Sequence, residues 1–513
     1  MGGSTPVNTD PALGQLDSGR YDMSRGSTSQ AFAPDITGTT GGFGPQPDAG
    51  ADPAASVARQ RGARRLRSPV SVRAPRVGTS VGVAAGVFAS LAPGLLPRTP
   101  GAQAIVTALL VSIGLGVVGI GRIVLRRFGS SGPAGTVRVR VLVVAAAVAG
   151  VGVAISQAQE WQNRLRDAMG VAAVGHWYWV HWAVETAMLV GVVVGCCRGI
   201  RWAVRRIGLL RSAVLMAVLG VGVQLAVVPT IVEWRKATYA ATNAYVDPVV
   251  AQPVSATRSG SPGSMASWPS LGAQGRRFVA GSPTRAVRVY VGLNSAADLN
   301  ARVTLAIREL ERSGGFERGN LVVTVPTGSG WIDGEAARGI DERFGGDVAL
   351  VGLQYSDAPS WVTFMFGRDA AEASARALFT AVEQRLSIMP HAPKLYVYGQ
   401  SLGALGGSSV FTDDADQDRR TCSVLWAGPP AGQVHRGGAT VLANASDPVV
   451  HWSPSLLWQP ANLTGTRPDA PVPHWIPVLS FLQTSADLLA ALNAPSGHGH
   501  RYGTDQGSAL GSC

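Results

Sequence analysis

Five apolar stretches, at about residues 79–96, 102–121, 141–157, 180–197 and 207–232, constrain this chain more than any other feature. Each approaches the roughly 20 residues that a helix needs to cross a bilayer core. They predict a transmembrane helical domain of about five helices over residues 77–235. The first stretch is the weakest, being short and carrying Pro93, and the first two together are also compatible with a re-entrant hairpin. Composition agrees with a membrane protein, since charged residues make up only 15% of the chain against a usual ~25%.

The formal charge of +12 raises nucleic acid as a partner, but its distribution argues otherwise. Residues 1–235 hold 23 Lys and Arg against 10 Asp and Glu, and residues 236–513 hold 21 against 22. The basic excess therefore accompanies the apolar stretches, as arginines flanking membrane helices would, and no nucleic-acid partner is expected. The cluster just before the first stretch, residues 59–76, has seven Arg, and the following connections have one, five, two and five. That alternation predicts a cytoplasmic N-terminus and, after five crossings, an extracytoplasmic C-terminal half in the cell membrane.

Residues 1–76 are rich in Gly, Pro, Ser and Thr, end in an Arg cluster, and are expected to be a disordered basic arm. They lack the pattern of a secretory signal peptide. The piece 158–170 reads as an amphipathic surface helix. The run from His176 to Trp182 reads as an interfacial aromatic belt rather than a haem or metal site, because its two histidines fall on different helix faces. Residues 236–283 read as a linker.

From residue 284 the texture changes. Apparent strands at Ala286–Val291, Leu321–Val325, Val348–Leu353, Leu395–Tyr398, Ser423–Trp426, Thr440–Ala443 and Val478–Leu482 alternate with helical patterns such as Ser295–Arg312 and Ala370–Leu386. This predicts an α/β domain over 284–513, with a mostly parallel sheet flanked by helices.

One motif carries chemistry. The strand ending at Tyr398 runs into Gly399-Gln400-Ser401-Leu402-Gly403, a G-x-S-x-G pattern. A serine at the apex of a sharp strand-to-helix turn needs small neighbours two residues away, exposes its hydroxyl, and aims the next backbone N–H at a developing oxyanion. Ser401 is the expected nucleophile and Leu402 the first oxyanion donor. Asp447, just past a strand end, is the expected acid. Asp487 competes, but reads as a helix N-terminal residue. In the Gly-rich stretch 495–503, His500 is the expected base, with His498 as the alternative. A second oxyanion donor is expected from Gly328 or Ser329, after the strand Leu321–Val325. No Walker lysine follows that loop. The acidic run Asp413–Asp418 departs from a calcium loop at its sixth and twelfth positions. Neither a metal nor any other cofactor is expected. Trp331, Trp361, Trp426 and Trp452 either line a pocket or pack the core.

Several stretches together resemble a family: residues 90–98 (Ser-Leu-Ala-Pro-Gly-Leu-Leu-Pro-Arg), 275–279 (Gly-Arg-Arg-Phe-Val), 326–331 (Pro-Thr-Gly-Ser-Gly-Trp), 354–361 (Gln-Tyr-Ser-Asp-Ala-Pro-Ser-Trp), 399–403, 426–430 (Trp-Ala-Gly-Pro-Pro), 445–452 (Ala-Ser-Asp-Pro-Val-Val-His-Trp) and 497–502 (Gly-His-Gly-His-Arg-Tyr). The chain is similar to the membrane-anchored bacterial α/β-hydrolases, which join a multi-helix membrane domain to a catalytic domain. The resemblance implies the α/β-hydrolase fold and puts the family's nucleophile on Ser401. Gln400 stands where similar proteins often carry Glu. It supplies no substrate.

The expected activity is ester hydrolysis through a Ser-His-Asp triad and an acyl-enzyme. A membrane tether favours a lipid or lipid-linked acyl or aminoacyl ester as substrate. The competing classes are an acyltransferase with the same triad, a non-catalytic hydrolase-fold module binding an envelope partner, and a channel. Glu185 is the sole acid within the apolar stretches, which argues against the channel. An oxidising compartment would also permit a Cys422–Cys513 bond.

Overall fold

A computed structural model describes residues 75–129, 136–281, 284–503 and 505–513. Nearly all of the expected basic arm, residues 1–74, lies outside the described residues. All described residues belong to one compact unit, Arg73–Cys513.

Helix α1 spans Val77–Leu91, and four more follow: α2 Pro100–Arg127, α3 Val137–Ala168, α4 His176–Ile207 and α5 Leu209–Ala244. Among the described residues these four are long and apolar enough to cross a membrane. The first expected span is shorter. Its 15 residues reach about 22 Å, less than the ~30 Å hydrocarbon core. What α1 lacks in length it recovers in packing. A Cβ on Gly86 would lie 2.6 Å from Val111 Cα, and one on Gly114 would lie 2.3 Å from Gly82 O. Small residues at every fourth position thus let two helix backbones touch, the usual mode of association where lipid offers no hydrophobic contrast.

Two expectations for this half need correction. Residues 158–168 do not form a separate surface helix but prolong α3. Their Gln, Glu, Arg, Leu and Ala residues are good helix formers, and the helix ends just before Gly170, at φ 65°. The last helix does not stop near 232 but continues to Ala244, through a π-helical turn at Val223–Val227. Pro229 lies just beyond, and its missing N–H breaks the regular ladder. Of the aromatic run, Trp182 donates to Thr107 Oγ1 at 2.9 Å and Trp179 to Gln159 Oε1 at 3.0 Å, tying helices together, while Trp177 faces outward.

The C-terminal half contains a six-stranded, all-parallel sheet: β1 Val287–Val291, β2 Asn320–Val325, β3 Val348–Leu353, β4 Lys394–Gln400, β5 Ser423–Ala427 and β6 Thr440–Leu442, in the order β1-β3-β2-β4-β5-β6. The inner strands are continuous runs of apolar residues because helices bury both faces. Val287, Val323, Val351 and Val397 share one core with Phe379 and Leu310, and Tyr290, Val322, Leu350 and Tyr396 share the other with Phe278 and Ile340. This is the α/β-hydrolase architecture.

The strand order sets the site. After β2 the chain returns to one side, to β3; after β4 it proceeds to the other side, to β5. The carboxyl ends of β2 and β4 therefore flank the topological switch point, where sheets of this kind hold their ligands.

The expected strand at Val478–Leu482 is absent. Those residues open a helix, Leu479–Asp487, and a short apolar run alone does not distinguish the two. The helix expected from Ser295 begins at Leu299, capped by the Asp298 side chain. The expected linker also folds: Gly272–Ala280 is a helix whose Phe278 and Val279 enter the core. Its buried Arg276 donates to the carbonyls of Pro269, Asn243 and Ala244, capping the end of α5. The acidic run is a short helix, Asp414–Arg420, whose N-cap is Asp413.

Candidate active site

Ser401 stands between β4 and the helix Leu402–Ser408, with φ 55° and ψ −124°. A non-glycine residue held there is strained, and such strain concentrates at functional sites. Both flanking glycines are sterically required. A Cβ on Gly399 would lie 2.4 Å from Gly403 O, and one on Gly403 would lie 2.2 Å from Val325 O. The second contact also brings the turn against the end of β2, so the elbow and the loop 326–331 adjoin. Ser401 N–H donates to Ala427 O at 2.8 Å, tying the turn to the end of β5.

His500 approaches from that same strand end. Gly428 follows Ala427 at φ 55°, and a Cβ there would lie 2.8 Å from His500 Cε1. Only glycine leaves room for the imidazole. His500 Nδ1 faces Asp447 Oδ2 at 2.7 Å, with the side chains 7% and 0% exposed. A carboxylate partner favours the proton on Nδ1 and leaves the Nε2 lone pair as an acceptor. Asp447 also caps a short helix, accepting Val449 N–H on Oδ1 at 2.8 Å.

The structure distinguishes the two histidines. His498 Nδ1 lies 3.2 Å from Asp469, not Asp447. Asp469 also accepts from Ser446, both N–H and hydroxyl, and Ser446 Oγ in turn accepts Gly499 N–H at 2.8 Å. This second Asp-Ser-His cluster shapes the loop on which His500 sits. Asp487, the competing acid, lies at the C-terminal end of its helix rather than at its start, and pairs with Arg98.

Two residues had no role in the sequence reading. Tyr502 donates its hydroxyl to Asp447 Oδ2 at 2.7 Å, and burial pushes its phenol well above the ordinary range, so it remains a donor. Asp469 holds the Ser446–Gly499–His498 cluster. Tyr502 lies within the 497–502 stretch, whereas nothing local marks Asp469.

The loop after β2 is tightly bound. Thr327 N–H donates to Trp331 O at 2.9 Å and Gly330 N–H to Thr327 O at 2.9 Å, while Tyr355 donates to Pro326 O at 2.9 Å. Gly328 is close-packed, since a Cβ would lie 2.6 Å from Ser360 Cα. Ser329 O receives Gln354 Nε2 at 3.4 Å, and that amide also bonds Asn243, near the end of α5. The four tryptophans do not form one pocket. Trp426 is fully buried in the core, and Trp361 is 64% exposed.

A cleft of about 210 Å³ lies beside the Asp447 helix, lined by His451, Trp475 and Thr484 and, from the helical half, by Pro93, Gly94 and Leu95. His451 Nε2 lies 2.8 Å from Ala445 O, and burial lowers its pKa below the ordinary 6.5 despite that bond and nearby carboxylates.

Residues 287–440 and 435–511 match the model of an alpha/beta-hydrolase family, and residues 91–283 match the model of an alpha/beta-hydrolase family N-terminus. No curated protein matches the chain.

Proposed function

The chain belongs to an alpha/beta-hydrolase family, and on that footing we propose that it is a membrane-anchored serine hydrolase acting on ester bonds of lipids or lipid-linked acyl groups. The observation that carries this reading is the strained Ser401 turn at the switch point, bonded to the same end of β5 against which the buried His500–Asp447 pair packs.

In the proposed mechanism Ser401 Oγ attacks the ester carbonyl carbon while His500 Nε2 takes its proton. Asp447 holds the imidazole tautomer and stabilises the imidazolium. The N–H groups of Leu402 and of Gly328 or Ser329 receive the negative oxygen. The imidazolium returns its proton to the leaving alcohol, and an acyl-enzyme remains. Water, deprotonated by His500, then cleaves the acyl bond and releases the acid.

Support for a lipidic substrate comes from the four long apolar helices and from the contact of the α1–α2 loop with the His500 loop. Support for an extracytoplasmic site comes from the Cys422–Cys513 disulfide, which suits an oxidising compartment. The α1–α2 loop and Met169, at the α3–α4 connection, both meet the C-terminal half, as an alternating topology requires.

The test is labelling of the intact protein with a fluorophosphonate, together with hydrolysis of a short-chain chromogenic ester. Wild type should do both and Ser401→Ala neither. Undiminished turnover in Ser401→Ala would refute the nucleophile.

A further inference from the structure

Asp487 is completely buried yet belongs neither to the sheet nor to the His500 pair. Its partner lies 389 residues away in sequence: Arg98, in the loop between α1 and α2. Arg98 Nε and one terminal nitrogen each lie 2.9 Å from Asp487 Oδ1, with the side chains 4% and 0% exposed. Asp487 Oδ2 accepts Leu95 N–H at 2.6 Å, and the carboxylate also accepts Leu96 N–H. Arg98 is itself fixed on the helical side: its N–H donates to Gln162 Oε1 at 2.9 Å and its carbonyl accepts Arg166 at 2.9 Å.

The connection from Asp487 to the base is short. One helical turn, Leu488–Ala490, leads to Ala491, whose carbonyl accepts His500 N–H at 3.1 Å. Leu96 is 1% exposed and packs with Met169 and Ala494. A Cβ on Gly499 would lie 2.9 Å from Ala494 Cβ and 3.2 Å from Leu96 Cδ2. The His500 loop contains Gly497 at φ 90° and Gly499 at φ 54°. Glycines at such angles leave a loop with little rigidity of its own. Its position is therefore set by what it rests on, and part of that support is Leu96. A buried ion pair contributes little net stability over apolar packing, so its better-founded use here is to fix one docking geometry.

We propose that Arg98 and Leu96 are positioning residues for His500, so that the helical half sets the reactivity of Ser401 besides anchoring it. This rests on the Ser401-His500-Asp447 assignment. The α1–α2 loop is the seat of the base-bearing loop. Leu96 sets its height through Gly499, and the Arg98–Asp487 pair sets its register through Ala491.

The experiment uses the full chain in detergent micelles and a soluble short-chain ester, with Ser401→Ala as the baseline. Leu96→Ala and Arg98→Gln should each lower kcat by about 10- to 100-fold, the scale of a misplaced catalytic group. KM should stay within about threefold, because the substrate contacts are unaltered, and the acid limb of the pH–rate profile should move. Arg98→Lys, which keeps a cation for Asp487, should recover most of the rate. If Arg98→Gln fails to fold, Leu96→Ala decides alone, since its ion pair is intact. Lower thermal stability with unchanged kcat and pH profile would assign these residues to structure only and overturn the proposal. A wild type without Ser401-dependent turnover would instead remove the hydrolase reading itself.

Discussion

Tyr502→Phe tests the electrostatics of the proposed triad without touching its three members. Asp447 is fully buried and receives three donors: His500 Nδ1 at 2.7 Å and the Tyr502 hydroxyl at 2.7 Å on Oδ2, and Val449 N–H at 2.8 Å on Oδ1. Phe removes one hydrogen bond to a charged group, worth about 1.5–3 kcal/mol. The carboxylate, with one donor fewer, becomes more basic and holds an imidazolium at His500 more strongly. If a third to a half of the lost energy, about 0.5–1.5 kcal/mol, appears there, the acid limb of the pH–rate profile moves by about 0.4–1.1 pH units, at 1.36 kcal/mol per unit. The sign follows: a base that retains its proton to higher pH moves the acid limb of kcat/KM upward. The assay is the pH dependence of ester hydrolysis by the full chain, wild type against Tyr502→Phe. An acid limb that stays in place, or moves down, would refute the account of Tyr502 as a donor to the triad carboxylate.

The two histidines should separate kinetically: His500→Ala should lower kcat by at least about 10³-fold, whereas His498→Ala, which breaks only the contact with Asp469, should cost less than about tenfold; the reverse order in the same ester assay would exchange their roles. His451 should make the fold acid-sensitive. Burial depresses its pKa, so its contribution to stability is present above the ordinary 6.5 and is lost as pH falls through the lower folded value. Thermal unfolding of His451→Gln should therefore depend less steeply on pH below about 6.5 than that of wild type. The buried carboxyls of Asp333 and Asp487 are shifted upward by burial and act with the opposite sign, but they are common to both proteins and cancel in the comparison. Equal slopes would refute the role of His451.

Much of the fold was legible because the inner strands are buried on both faces and read as unbroken β-branched runs. The Ser401 turn was legible because its two glycines are dictated by backbone contacts under 2.5 Å, which no other residue satisfies. The segment 440–502 was harder. It has few long elements, and its order comes from side chains bonding loop backbone, as Ser446 does for Gly499 and the Asn444 amide for Gly499 O. Such bonds leave no periodic trace. Val478–Leu482 is hard to read for a different reason, being too short for helix and strand periods to differ. Residues 236–283 read as a linker because Pro, Ser and Gly are frequent there and apolar clusters few; the burial of Arg276 is not legible, since charges are rarely buried unless satisfied, and here backbone carbonyls satisfy it. The weakness of the first apolar stretch was itself a signal. The stretch is short because its helix ends at Leu91, ahead of Pro93, and Gly82 and Gly86 within it are where α1 touches α2.

A single apolar helix would suffice to tether a catalytic domain, so the extra helices call for a physical reason. The contacts supply one. Leu96 meets the His500 loop from between α1 and α2, Leu95 and Arg98 bond Asp487 just ahead of it, and Met169 joins the Leu95–Leu96–Ala494 cluster from the end of α3. From the end of α5, Asn243 bonds Gln354, which bonds Ser329 in the loop after β2. The helical half thus touches both sides of the switch point, the side that bears the proposed base and the side that bears the proposed second oxyanion donor. Contacts at such separated positions need several helices held at fixed spacing, which the close Gly82–Gly114 and Gly86–Val111 approaches provide. On this argument the two halves form one working unit, and loosening α1 against α2, by Gly86→Leu for example, should alter kcat at Ser401 before it alters binding of a soluble ester.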